Sequence, residues 1–439
     1  MTAQFPLRLY GRVLCAASAL ALFAALLPAQ QITTARQKPV PTELMKGILV
    51  FPDAYAANYW THTVALVNAP APLKLANPGQ CIRIGVAAQG DNREALITKT
   101  QILYRIRFAG HTNDFPLAAF AQTHPIKPEG GDFVSDALAA AGIANPIPSM
   151  VIFGVSASNW CVPADAADGE AVIEGEAVTP NGTVKLAAQI LKVESFATGA
   201  KFVFKDSEAQ SKWTMTYYRQ PQPARLIPAL RALAADHEAL QNQSGLLNAV
   251  AFFANVLKSN PLAAKEFAAR IGAEPDPARL IGIGMLRESG FDVQPLVQAL
   301  GPEERKYFDQ PSDLPNPYAF NPADGQDPTR LDLCWAEFLA TGRIEPIRQI
   351  VSALAWRAEY DAFDKARKDG TLRKQWTPEL SHAVTYMAAG WSLTSFKHTD
   401  PLVADYLQAI AADPATSAAI KTEFKGLDTN PAFRETHGK

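Results

Sequence analysis

The chain has little cysteine, almost no net charge and only one long apolar run. There are four cysteines in 439 residues, and no two have the close spacing of a zinc ligand pair. That excludes a zinc ribbon and a disulfide-knotted miniature scaffold. The seven histidines (His62, His111, His124, His237, His382, His398 and His437) form no His-Glu-x-x-His, so a zincin-type metal centre is excluded. Net charge is −2. Without a run of basic residues, neither a nucleic acid nor an acidic membrane surface is indicated as a partner.

Other chemical signatures are missing too. Gly154-Val-Ser156-Ala-Ser158 lacks the second glycine of a nucleophile elbow. Gly282-Ile-Gly284 follows no strand, so it is not a phosphate loop, and close helix packing is its expected role. Glu379 and His382 form one Glu-x-x-His unit, whereas a di-iron bundle needs two. His111, Asp114 and His124 are too loosely spaced to predict a metal site. Asp165, Asp168, Glu170, Glu174 and Glu176 read as a solvated face. No cofactor, metal or catalytic residue is expected.

The apolar run that is present lies at the start. Arg8 and Arg12 precede Val13 to Leu27, and Pro28-Ala29-Gln30-Gln31 turns polar. A charged start, a short apolar middle and a small residue at the exit have the form of a secretory signal. The run is shorter than the ~20 residues that span a bilayer. Residues 1–30 are therefore expected to be removed near Ala29, the alternative being an uncleaved N-terminal anchor. The expected location is extracytoplasmic, periplasmic or secreted, in a bacterial cell, with no membrane contact after cleavage.

The body of the chain changes character near residue 220. Before it the period is two. Ile102, Tyr104, Ile106 and Phe108 alternate with more polar neighbours, and Cys81 to Val86 alternates as well. Asn181-Gly182 between two β-rich runs, Glu170 to Val178 and Thr183 to Val193, predicts a hairpin. Lys201 to Lys205 and Lys212 to Arg219 read as one more hairpin. The expectation for residues 31–222 is an antiparallel, immunoglobulin-like β-sandwich. It carries a long insertion at about 110–150, with a short helix over Ser135 to Ile143.

From 223 to 439 the period becomes 3.6. Six capping residues precede proline: Asn260, Asp276, Asp327, Thr377, Asp400 and Asp413. Gly290, Gly342 and Gly370 mark helix ends. Leu246, Val250, Phe253 and Leu257 share one stripe. The expectation is an all-α helical bundle or an irregular helical repeat, making the whole an α+β, two-domain protein.

Two sets of residues are singled out. Cys81 and Cys161 are the plausible disulfide pair of an oxidising compartment, and Cys334 is expected to be a buried thiol. In the helix beginning near Ile344, Trp356, Tyr360 and Phe363 fall opposite Ile347, Val351 and Leu354. These aromatics either pack in the core or dock another protein through the helical domain. The expected role is that of an exported, non-enzymatic protein with a partner-binding helical domain. The alternatives are an extracytoplasmic hydrolase with a site between the domains and an envelope structural protein.

Overall fold

The computed structural model describes residues 44–52, 73–89, 101–117, 123–126, 151–155, 159–179, 182–309, 316–319, 329–371 and 377–433. The expected signal and most of the 110–150 insertion, including the helix expected there, lie outside the described residues. The described chain is mixed: a β-rich first part and a helical remainder.

The strands are β1 (Leu44–Pro52), β2 (Leu75–Ala76), β3 (Cys81–Gln89), β4 (Gln101–Phe108), β5 (His111–Leu117), β6 (Thr123–Ile126), β7 (Val151–Val155), β8 (Trp160–Cys161), β9 (Gly169–Thr179) and β10 (Gly182–Val193). They pair in the order β5-β4-β9-β10-β1-β3-β7-β6, with β2 on β10 and β8 on β3. β9 and β10 form the hairpin around Asn181-Gly182, with Gly182 opposite Thr179. The sequence suggested a wholly antiparallel sheet, and the pairing is mixed instead. β1 and β2 each run parallel to β10. Neither is joined to β10 by a tight turn, so no hairpin dictates their direction.

Alternation along the strands does place the core. Tyr104, Ile106 and Phe108 of β4 are buried, while Leu103, Arg105 and Arg107 face out. They join Ile82 and Ile84 of β3, Ile173 of β9, Leu191 of β10 and Trp160 of β8 in one hydrophobic cluster. The strands that end the order, β5 and β6, carry Pro116 and Pro125. Proline removes a backbone donor and suits an edge position.

Strands give way to helix between Val193 and Phe196, ahead of the joint expected at 219–223. The second hairpin expected at 201–219 is absent: residues 201–205 are turn and irregular backbone, and Ser207–Thr216 is helical. After α1 (Phe196–Gly199), Asp206 caps α2 (Ser207–Thr216) by accepting from the Ala209 amide. Trp213 and Tyr217 sit four apart, which fits a helical face as well as a strand face. Their rings meet edge to face at 5.2 Å. Phe196, Trp213, Tyr217 and Tyr218 all belong to the helical cluster, not to the sheet cluster.

The remaining helices are α3 (Leu226–Ala235), α4 (His237–Gln241), α5 (Gln243–Ser259), α6 (Pro261–Ile271), α7 (Ala278–Glu288), α8 (Gln294–Gln298), α9 (Pro302–Arg305), α10 (Thr329–Thr341), α11 (Ile344–Ser352), α12 (Arg357–Lys368), α13 (Pro378–Thr399), α14 (Pro401–Ala412) and α15 (Ala418–Gly426). Asn260, Thr377 and Asp400 cap helices whose first residue is proline. Asp276 and Asp413 do not. The carboxylate of Asp276 binds Arg279, and that of Asp413 accepts from the Ala415 amide in a turn. Asp327 lies outside the described residues. Gly290, Gly342 and Gly370 all adopt positive φ. At Gly342 a side chain would also run into the Tyr218 ring.

A buried polar clamp ties these helices together. The Tyr218 hydroxyl donates to both Asp400 oxygens, at 2.7 and 2.8 Å, and Arg219 pairs with Asp400 at 2.6 Å. Asp400 thus caps α14 and anchors the end of α2 at once.

Candidate functional site

Cys81 and Cys161 lie directly opposite each other on β3 and β8 and are joined by a disulfide. Cys334 is 1% exposed in α10. Burial, first, and then the Glu337 and Asp332 carboxylates push its thiol up to about 12. At neutral pH it is a protonated, inert thiol, because the thiolate is the reactive form.

The single helix expected from Ile344 is broken. α11 ends at Ser352, a 3₁₀ turn runs from Ala353 to Trp356, and α12 follows. A 3₁₀ turn advances about 120° per residue rather than 100°. Over its four residues the break turns the apolar stripe by about 80° relative to a continuous helix, which narrows the angle between the two faces.

Trp356 is 6% exposed and stacks on His382 of α13 at 4.4 Å. Tyr360 is half-buried and stacks on Tyr386 at 5.2 Å. Phe363 is half-buried on α12. As an exposed aromatic patch, the trio fails at Trp356, which belongs to the helical core. The reason is the contact between α12 and α13, which places the rings in a seam.

Beneath the aromatics lies a polar cluster. The Tyr386 hydroxyl donates to Glu423 at 2.5 Å, and Asn430 donates to the same hydroxyl at 3.0 Å. Arg357 reaches Glu423 at 3.5 Å and Asp361 at 2.8 Å. Burial, followed by the Glu423 carboxylate, raises the Tyr386 phenol above its ordinary value. The hydroxyl therefore stays protonated and acts as a donor. His382 is 8% exposed, and its Nε2 has no hydrogen-bond partner among the described residues. Glu379, three residues before it, is exposed at the start of α13, so the pair does not converge on a ligand.

The other sequence candidates are dispersed. His111 and Asp114 lie on β5 and His124 on β6, at opposite ends of the pairing order. Glu174 binds Arg107 at 2.6 Å, while Glu176 faces Lys185 and Glu170 faces Lys192 across the β9–β10 ladder. Asp168 accepts from the Ser195 amide at 2.7 Å and from Thr198 at 2.5 Å. Ser156 lies outside the described residues. Among the described residues, no group of three His, Cys, Asp or Glu side chains could hold a metal ion. No helix among them is long and apolar enough to cross a membrane.

One concave feature was not foreseen. A shallow groove of about 200 Å³ runs between α5 and α7. Leu246, Leu247 and Val250 line one wall. Ile281 and Gly284 line the other, with Arg287 and Glu288 at the rim. These apolar side chains are only half-buried. A Cβ built on Gly284 meets nothing within 4 Å, whereas one on Gly282 would collide with Ile271 and Leu230. Of the two glycines, Gly282 permits close helix packing and Gly284 floors the groove. The stripe through Leu246 and Val250 is visible in the sequence. Its meeting with Gly284 is a tertiary fact that no local spacing encodes.

The chain matches no protein-family model, and no curated protein matches it.

Proposed function

We propose that this is an exported protein whose helical region holds an amphipathic helix of a partner protein. The α5–α7 groove carries the reading. Its lining residues fall at helical spacing on both walls, and its floor is a glycine with open space above it. Such a trough suits a helix that lays its apolar face between two others. It is too shallow and open to enclose a small molecule, which pockets usually bury by 70–90%. The disulfide between β3 and β8 supports the extracytoplasmic location, since such bonds persist in oxidising compartments.

We further propose that the strands curl into an immunoglobulin-like sandwich, a unit distinct from the helical one. A single cluster fed by β3, β4, β9 and β10 supports this. Asn77 and Gln80 at the junction of the halves spend their side chains on backbone carbonyls, and the half-buried Arg225 and Glu194 face each other as an ion pair, which favours binding over a hydrolytic site there. Asn77 bonds to the Glu194 carbonyl, Gln80 to the Pro221 carbonyl, and Arg225 lies 3.5 Å from Glu194.

The test is site-specific photo-crosslinking from Leu247 in the producing cell, with purification of the adduct. The expected result is one defined protein, which binds the purified chain and loses at least about tenfold in affinity to Val250→Asp. A tenfold loss is ~1.4 kcal/mol, within reach of one spoiled apolar contact. Crosslinking that Val250→Asp leaves unchanged would overturn the reading.

A further inference from the structure

The disulfide does not simply close a strand pair. It sits beside the turn that docks the β-rich half onto the helical half. Asn77 is 0% exposed in that turn. Its side-chain amide donates to the Glu194 carbonyl at 2.6 Å, and its side-chain oxygen accepts from the Ala224 amide at 3.3 Å. The backbone N–H of Asn77 donates to Gln80 Oε1 at 2.5 Å, and Gln80 Nε2 donates to the Pro221 carbonyl at 3.0 Å. Gly79, at φ +79°, leaves no room for a side chain against Leu262 of α6. So three residues of one turn, Asn77, Gly79 and Gln80, meet the helical half by two polar contacts and one packed face, and Asn77 also holds Glu194 at the joint.

The other side of the turn rests on β8. The Gly79 amide donates to the Val162 carbonyl, and the Val162 amide to the Gln80 carbonyl, both at 2.9 Å. Cys81 then bonds to Cys161. β8 is only two residues long, so few other bonds fix its register. Cys161 is exposed and Cys81 partly so. An external thiolate can therefore reach the bridge.

We infer that the Cys81–Cys161 disulfide is a redox latch on the joint between the two halves. With the bridge closed, the turn is held in the shape that presents Asn77 and Gln80 to the helical half. Reduction by a dithiol opens it. One thiolate attacks Sγ of Cys161 and the S–S bond breaks. Cys81 leaves as a thiolate and takes up a proton. The second thiol of the reductant then displaces Cys161, and the reductant ends as its own disulfide. Two electrons pass to the protein, and the joint loses its anchor. Burying an amide side chain such as that of Asn77 is tolerable only while its partners stay in place. Once the turn shifts, its contacts with Glu194 and Ala224 go together.

Hydrogen exchange on the purified full chain tests this, with dithiothreitol as the dithiol. Reduction should speed exchange at the Ala224 amide by about tenfold or more, as a local opening does. Amides inside α3 and in the β9–β10 ladder should stay protected. Reoxidation should restore Ala224. Asn77→Ala in the oxidised chain should reproduce the Ala224 effect with the disulfide intact. The inference fails if reduction leaves Ala224 protected, which would mean that buried Trp160 alone holds β8. It fails equally if reduction unprotects β3 through β10 together, since the bridge would then be a general staple. Protection of Ala224 in Asn77→Ala would also overturn it, because Asn77 would not be the link.

Discussion

At the scale of single residues, burial separates side chains that the sequence treated alike. Trp356 and Tyr360 share a stripe, yet Trp356 is enclosed against His382 while Tyr360 lies half-open on Tyr386. Trp356→Ala should therefore cost ~3–5 kcal/mol, the usual range for truncating a core aromatic. Phe363→Ala should cost distinctly less. Denaturant unfolding followed by helical circular dichroism measures both, and equal small losses would place Trp356 outside the core. Gly390 makes the opposite case. A side chain there would overlap the Phe433 ring, which covers that face of α13. Gly390→Ala should lose about 1–3 kcal/mol through overpacking. Gly284→Ala, with open space above it, should be neutral or slightly stabilising, since alanine is the better helix former by up to ~1 kcal/mol.

At the scale of elements, capping chemistry was the most legible signal and periodicity the least secure. Asn260, Thr377 and Asp400 begin their helices because a short acceptor followed by proline satisfies one orphan donor and removes another. Asp276 and Asp413 carry the same dipeptide but spend their carboxylates elsewhere, so the dipeptide alone does not make a cap. The α2 helix was missed because spacings of four obey both periods. The break between α11 and α12 was missed because nothing local announces a 3₁₀ turn. The parallel pairings of β10 were invisible, being long-range. Asn260→Ala should cost ~0.5–2 kcal/mol. The acidic anchors of the last helices give a pH signature. A hydrogen bond from the Ala415 amide and then Arg348 hold the Asp413 carboxyl below its ordinary 3.8. Lys397 and then His398 do the same for Asp428. A lowered folded-state value means stability that is complete above the unfolded value and lost as pH falls past the folded one. Melting temperature should fall on acidification below about pH 4, and less steeply in Asp428→Asn. An identical slope in that variant would show that Asp428 contributes nothing.

At the scale of the whole molecule, what decides the architecture is where one hydrophobic cluster ends and the next begins. The sequence placed the change at the proline-bearing joint of 219–223, because polar residues and prolines interrupt the pattern there. The clusters divide earlier: Val193 closes the first, and Phe196 opens the second. Residues 196–218 are thus the first layer of the helical half. Trp213 and Tyr217 meet Phe252 of α5 at 5.8 and 5.5 Å, and the Tyr218 amide donates to the Leu339 carbonyl of α10. A fragment beginning at Ser195 keeps these contacts, and one beginning at Pro223 strips them off. The second would leave Asp400 without Tyr218 and Arg219. Breaking a buried pair in this way costs ~3–5 kcal/mol, and the lost aromatic burial adds to it. Most domains hold only ~5–15 kcal/mol in reserve. The fragment from 195 should therefore melt cooperatively with native near-ultraviolet dichroism. The fragment from 223 should be aggregated or lack that signal. If both fold equally well, the aromatic layer of α1 and α2 is dispensable, and the helical unit begins where the prolines are.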